Sequence, residues 1–321
     1  MRSTATLCLA FAAAIIALAQ ARAEVWPQRN VRIVTPFPVG TGGDVSIRLF
    51  AEKLSERWGK PVIIENRPGA DGILAVMALV GAHDAHTLLY TNGGPVTANA
   101  FDHENLPYVP TRDLIPISSG AEVAVAVSVP ASLKIATLAD FVTFARSQPG
   151  KLNWGATPGV LDYIVPGFFK SAGLDLTHVS YRELGPALQD LTEARIHFYA
   201  SALATQLAML QAGKIKVLAV TNSVRSSLFS DIPTAVEAGF PDLAVDGHLG
   251  FYGPRDMQTD LLERIGADIR AVGSDATVAS RLANSGLVVH TSTPAEFLET
   301  IQRERDKIAR FARILGQDGR R

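Results

Sequence analysis

Residues 31–45, Val-Arg-Ile-Val-Thr-Pro-Phe-Pro-Val-Gly-Thr-Gly-Gly-Asp-Val, join an apolar run to a helical period through a glycine-rich loop. Val31, Ile33 and Val34 suit a buried strand that stops at Pro36, and Val45, Leu49, Ala51, Leu54 and Trp58 recur near the helical period over 44–58. Gly40, Gly42 and Gly43 permit a left-handed backbone and let N–H groups approach whatever lies beyond the strand. The helix that follows turns its positive end toward the same place, so a strand, glycine loop and helix in this order point to an anion. A dinucleotide is the competing reading, but Val45 stands where G-x-G-x-x-G needs its third glycine. Glu65, where a ribose-binding acid would stand, is followed at once by the turn Asn66-Arg67-Pro68-Gly69.

Similar units recur down the chain. Strands are expected at 61–65, 87–90, 177–181, 196–201, 216–221 and 248–252, and a β-rich run without helical period at 123–129. Helices are expected at 72–80, 138–147, 161–172, 185–194, 205–212, 260–272, 277–285 and 294–315, with a short capped one at 233–239. Strands alternating with helices argue an α/β class whose ligands bind beyond the carboxyl ends of parallel strands. Three loops then meet at one edge: 40–44, 66–72 and 91–95. A second glycine-bearing loop, Gly155-Ala156-Thr157-Pro158-Gly159-Val160, again precedes an apolar helix and suggests a second α/β lobe facing the first.

The amino terminus has the pattern of a secretory signal: Arg2, a nearly apolar run over 7–19, and small residues at Ala21 and Ala23. Cleavage after Ala23 is expected. The only cysteine, Cys8, leaves with it, which excludes thiol catalysis, thiolate metal sites and disulfides. Without Arg2 and Arg22, Lys plus Arg falls from 30 to 28 against 31 Asp plus Glu, so nucleic acid is not an expected partner.

No nucleophile elbow, zinc-protease motif or P-loop is present. His83 and His86 are a turn apart with no third ligand near in sequence, so a solvated turn is expected there and no metal or cofactor. Two roles fit Asp44, capping its helix or meeting a donor on the ligand. Phe37 either packs over the ligand or fills the lobe behind it, and Tyr181 is either a core tyrosine or a contact. Asn92, Thr157 and Ser201 stand at or just beyond strand ends that face the expected cleft.

Several segments in order resemble one family. They are 26–34 (Trp-Pro-Gln-Arg-Asn-Val-Arg-Ile-Val), 36–44 (Pro-Phe-Pro-Val-Gly-Thr-Gly-Gly-Asp), 65–72 (Glu-Asn-Arg-Pro-Gly-Ala-Asp-Gly), 149–153 (Pro-Gly-Lys-Leu-Asn), 185–191 (Gly-Pro-Ala-Leu-Gln-Asp-Leu), 231–239 (Asp-Ile-Pro-Thr-Ala-Val-Glu-Ala-Gly) and 293–297 (Thr-Pro-Ala-Glu-Phe). Together they resemble the Bug-type periplasmic receptors, the substrate-binding proteins of tripartite tricarboxylate transporters. The resemblance implies a two-lobed periplasmic-binding-protein clamshell, type II-like. In it, a small organic acid is held largely by backbone groups and ordered water. It implies no enzyme activity and no cofactor. The expected partners are the ligand and membrane transporter subunits, with a sensor kinase as an alternative reader and an exported α/β enzyme as the alternative function. The chain is expected to be a monomer.

The expected division is 1–23 signal, 24–122 first lobe, 123–247 second lobe and 248–321 first lobe again. Crossings are expected near 118–123 and 246–250. The ligand set implied is Phe37, Gly40, Thr41, Gly42, Gly43, Asp44, Asn92, Thr157, Pro158, Gly159, Tyr163, Tyr181 and Ser201. The chain departs from its relatives at Val160 and Tyr163, where many have threonine and histidine, at Arg182-Glu183, and at Ser201, where many have aspartate. The identity of the ligand is therefore not carried over.

Overall fold

A computed structural model of the chain describes residues 26–181 and 183–317. The expected signal segment with Cys8, its cleavage point after Ala23, and Arg182 lie outside the described residues.

The first sheet starts as sequence periodicity predicts. Strand β1 (Val31–Thr35) lies between β2 (Val62–Asn66) and β3 (Thr87–Asn92), parallel to both. Helix α1 (Gly42–Trp58) covers it, burying Ile47, Leu49, Phe50 and Leu54. After α2 (Ile73–Val80) and β3, the chain runs through β4 (Leu114–Val123) and leaves this sheet. The second lobe has its own five strands: β5 (Val125–Pro130), β6 (Leu152–Ala156), β7 (Leu176–His178), β8 (Phe198–Ala202) and β9 (Ile215–Val220), in the order β7-β6-β8-β5-β9. Four helices belong to it: α3 (Leu138–Arg146), α4 (Leu161–Ser171), α5 (Leu184–Thr192) and α6 (Leu203–Gln211).

The chain then returns. Strand β10 (Gly247–Pro254) inserts antiparallel between β3 and β4, and β11 (Leu287–Val289) pairs with the far side of β4. Phe251 is fully buried at the sheet centre, its ring 4.7 Å from that of Tyr90 and 5.4 Å from that of Phe50. Helices α7 (Thr259–Gly273), α8 (Ala276–Ala283) and α9 (Pro294–Leu315) complete the chain. Asp268 of α7 ties it to α1, accepting from the Arg57 guanidinium and, at 2.8 Å, from the Trp58 indole. Among the described residues no helix is long and apolar enough to cross a membrane.

Three expectations are corrected. The run 123–129 is two strands in two sheets, divided at Ala124, because the first crossing between lobes falls inside it. The capped helix expected at 233–239 is a single turn. Thr234 and Glu237 exchange hydrogen bonds of 2.8 and 3.1 Å, but Gly239, at φ 88°, ends the turn before a helix can grow. The end of the chain does not belong to the first lobe alone. Helix α9 buries Phe297 and Ile301 against first-lobe residues, then Ile308, Phe311 and Ala312 in the second-lobe core. Its 22 residues span both lobes, and so do residues 98–102, since Ala98 and Phe101 also pack into the second-lobe core.

Candidate functional site

Between the lobes lies a cleft of about 440 Å³. Phe37, Gly42, Gly43, Asn92, Gly93 and Gly94 form one wall, with Ser285, Gly286 and Leu287 from the turn into β11. Thr157, Pro158, Val160 and Leu161, with Leu184, Ala204 and Thr205, form the opposite wall. The floor is made by the two crossings, Val123 and Val125 on one and residues 245–249 on the other, with Glu304 from α9.

Four helices begin on this cleft: α1 at Gly42 and Gly43, α4 at Leu161, α5 at Leu184 and α6 at Ala204 and Thr205. None of the four carries a side-chain cap on its amino end. Of the helices whose first residues are not on the cleft, α3, α8 and α9 are capped by Thr137, Asp275 and Thr293, while α2 and α7 are not capped by a side chain. The first N–H groups of a helix have no partner within it. Here four helices turn their amino ends toward one space, each with the positive end of its dipole behind it. Of their first N–H groups, Leu203 N is taken by Ala124 O, Asp162 N by Gly159 O and Tyr163 N by Val160 O, and Pro186 has none to offer. Among the described lining residues there is no lysine or arginine, so these backbone groups are the positive wall.

The loops holding these ends are braced by side chains. Asp44, 2 % exposed, accepts from Gly40 N at 2.9 Å, from Arg48 Nε and from Asn66 Nδ2 at 2.7 Å. Burial by itself would raise its pKa, but the hydrogen bonds from Arg48, Gly40 and Asn66 together outweigh burial and hold it below its ordinary value. Asp44 therefore fastens the glycine loop instead of reaching into the cleft. Because its folded pKa is lowered, the stability it confers is present above pH 3.8 and lost as pH falls through the folded value. Asp44→Ala is expected to cost about 1–3 kcal/mol at pH 7. Urea titrations should show the gap between variant and parent closing as the pH is taken below the folded pKa; a gap constant with pH would refute this role.

Of the residues expected from the sequence, Phe37, Gly42, Gly43, Asn92, Thr157 and Pro158 line the cleft, and Gly159 lines an adjoining pocket with Phe37, Asn92 and Pro158. Phe37 packs on the first-lobe core, 6.2 Å from the Tyr90 ring, and also lines the cleft. The structure places Gly40, Thr41, Asp44, Tyr163, Tyr181 and Ser201 off the lining. Thr41 turns its hydroxyl back to Pro38 O at 2.8 Å. Tyr163 is 2 % exposed and donates to Asp102 Oδ1 at 2.5 Å, a bond between lobes. Tyr181 donates to Asp190 Oδ2 at 2.7 Å, and its ring lies where Gly155 lacks a side chain. Ser201 is 1 % exposed and accepts from Gln206 Nε2 at 3.0 Å.

The floor residues His248 and Glu304 were not anticipated. Glu304 occupies the buried stripe of α9 with Phe297, Ile301, Ile308 and Phe311. An acid on the apolar stripe of an amphipathic helix is a signal the sequence does carry.

The family described as tripartite tricarboxylate transporter family receptor matches residues 46–318. Protein BugT of Bordetella pertussis is 25 % identical over 301 residues, covering 92 % of this chain and 91 % of that protein. An R. palustris protein solved with adipate superposes with a TM-score of 0.75 at 28 % identity, over 89 % of this chain and 98 % of the other. MatC from Rhodopseudomonas palustris, solved with bound malate, gives 0.70 at 27 % identity, over 88 % and 100 %. With a match that runs from α1 to the end of the last helix and the same two-lobed fold around the cleft, this chain belongs to the tripartite tricarboxylate transporter receptor family, the Bug-type substrate-binding receptors, which are not enzymes.

Proposed function

We propose that this chain is a periplasmic receptor that captures a small carboxylate between its lobes and delivers it to the membrane subunits of a tripartite-type transporter. The observation that carries the reading is the convergence of four uncapped helix amino ends on one cleft. A carboxylate there gains charge-assisted hydrogen bonds from backbone N–H groups without a buried cation. The two family members solved with adipate and with malate support an acid of this size. Capture works by closure, because a ligand that touches both walls favours the arrangement in which both reach it.

The test is a thermal-shift series of three- to six-carbon mono- and dicarboxylates on the purified mature chain, followed by small-angle scattering with the best of them. A bound acid at a hundredfold excess over its dissociation constant should stabilise the protein by about 2.7 kcal/mol. The radius of gyration should fall on saturation. Absence of any shift across the series, or slow consumption of the acid, would overturn the reading.

A further inference from the structure

The cleft has two chemically different ends. Its walls offer N–H donors, whereas its floor offers acceptors. Glu304 is 7 % exposed and lines the cleft. Its Oε1 accepts from Thr97 Oγ1 at 2.6 Å, and its Oε2 lies 3.5 Å from His248 Nδ1. Gly93 makes room for it, since a side chain there would begin 2.4 Å from Oε1. His248 is 5 % exposed, stands edge-on to Phe297 at 5.4 Å, lines the cleft, and has neither ring nitrogen hydrogen-bonded. Buried polar atoms are nearly always satisfied, so an imidazole in a binding cleft with no hydrogen bond, only the 3.5 Å ion-pair contact of Nδ1 with Glu304, marks a place where a ligand completes the bonding. Asp246, also on the floor, already accepts from Ser223 N at 2.7 Å and Ser223 Oγ at 2.9 Å.

Resting on the receptor reading above, we infer that Glu304 and His248 select the far end of the ligand. They favour an acid whose second end carries an N–H donor, an amide or an ammonium, over one with carboxylates at both ends. The donor would meet Glu304 Oε2 and the open imidazole nitrogen, while the single carboxylate takes the helix amino ends. A second carboxylate would instead stand against Glu304 and Asp246 with no described lysine or arginine lining the cleft to offset it. Burial pushes the Glu304 carboxyl up, against the lowering pull of His248 and of the Thr97 hydrogen bond. A dicarboxylate would therefore depend on that carboxyl keeping its proton, whereas a donor-bearing acid uses it in either state.

The test is calorimetric titration of the mature protein with glutarate, its monoamide and 5-aminopentanoate, which share one chain length, repeated on Glu304→Gln and His248→Asn. The parent should bind at least one of the nitrogen-bearing acids about tenfold or more tighter than glutarate, roughly the discrimination of one charge-assisted hydrogen bond. The monoamide and the amine arms say which donor is preferred. In Glu304→Gln, which keeps an oxygen for Thr97, the preference should fall to within about threefold. If that variant does not fold, His248→Asn decides by the same criterion. Glutarate binding as tightly as both nitrogen-bearing acids, or a preference unchanged in the variants, overturns the selectivity and leaves the receptor standing. Binding of none of the three also overturns the selectivity, while the receptor reading stands or falls by the thermal series.

Discussion

Phe311→Ala is expected to lower the stability of the folded chain by about 3–5 kcal/mol, the range for emptying a buried aromatic site. Phe311 is fully buried in the second-lobe core although its helix starts on the first lobe. Its ring fills the space left by Gly167 of α4, where a side chain would begin 2.3 Å from the ring, and the Arg310 guanidinium lies 4.5 Å from its centroid on the outer side. Little can relax into the hole, because Gly167 has no atoms to move and Pro166 stiffens the adjoining turn. The damage also has a direction. With Phe311 gone, the last turns of α9 hold the second lobe mainly through Ile308 and through Lys307 and Arg310, which bond to Ala244 O and Asp242. Denaturation followed by near-ultraviolet circular dichroism and by scattering should then broaden or split into two transitions. Leu298→Ala, on the exposed face of the same helix at 53 % exposure, should stay within about 0.5 kcal/mol. Equal losses for the two variants would show that α9 does not tie the lobes together.

The largest effect on binding is expected from Gly43→Val. A side chain at Gly43 would begin 2.4 Å from the Phe37 ring, so the ring must leave its place on the cleft wall. The same branch would crowd the open N–H groups in the first turn of α1. Overpacking of this kind costs roughly 1–3 kcal/mol, and taken from the liganded state it amounts to about a ten- to hundredfold loss of affinity. Gly185→Ala is the matched control. It also sits in the first turn of a helix that begins on the cleft, but an added methyl there meets nothing within 4 Å. Its affinity should remain within about twofold, as expected of a change that disturbs no contact. Titrating both with the best acid from the thermal series separates steric loss at the first-lobe loop from a general weakening. Similar losses in the two variants would remove Phe37 and its loop from the binding surface.

Local chemistry was legible in the sequence, and long-range placement was not. The strand, glycine loop and helix over 31–58 follow from periodicity and from the turn residues. The start of α9 follows from Thr293 and Glu296, whose reciprocal capping bonds form as that spacing predicts. By sequence Asp44 suited capping better than binding, and only the arrival of Asn66, 22 residues later, decided for bracing the loop. Tyr163 stood in the loop expected to contact the ligand. Its hydroxyl instead serves Asp102, 61 residues earlier, a pairing that no spacing rule reports. The break at Ala124 escaped detection because two β-rich stretches in different sheets read as one run when only one residue divides them. Glu304 was visible as an acid in the wrong face of a helix, and its meaning came only with His248 beside it.

The position of β10 has a consequence for how the molecule is made. The second lobe's sheet comes from one continuous stretch, 125–220, whereas the first lobe's sheet has at its centre a strand that begins at residue 247. Until that strand arrives, β3 and β4 have no common neighbour, and the ring of Tyr90 lacks Phe251. The second lobe's sheet can therefore pair while the first sheet waits for β10, and the second-lobe core still waits for Ile308, Phe311 and Ala312 of α9. Contacts across such separations are slow to form because the intervening loop must be closed before any pairing rewards it. The first sheet is thus the later of the two to close, and the open edges of β3 and β4 are the surface a folding helper would have to cover in the meantime.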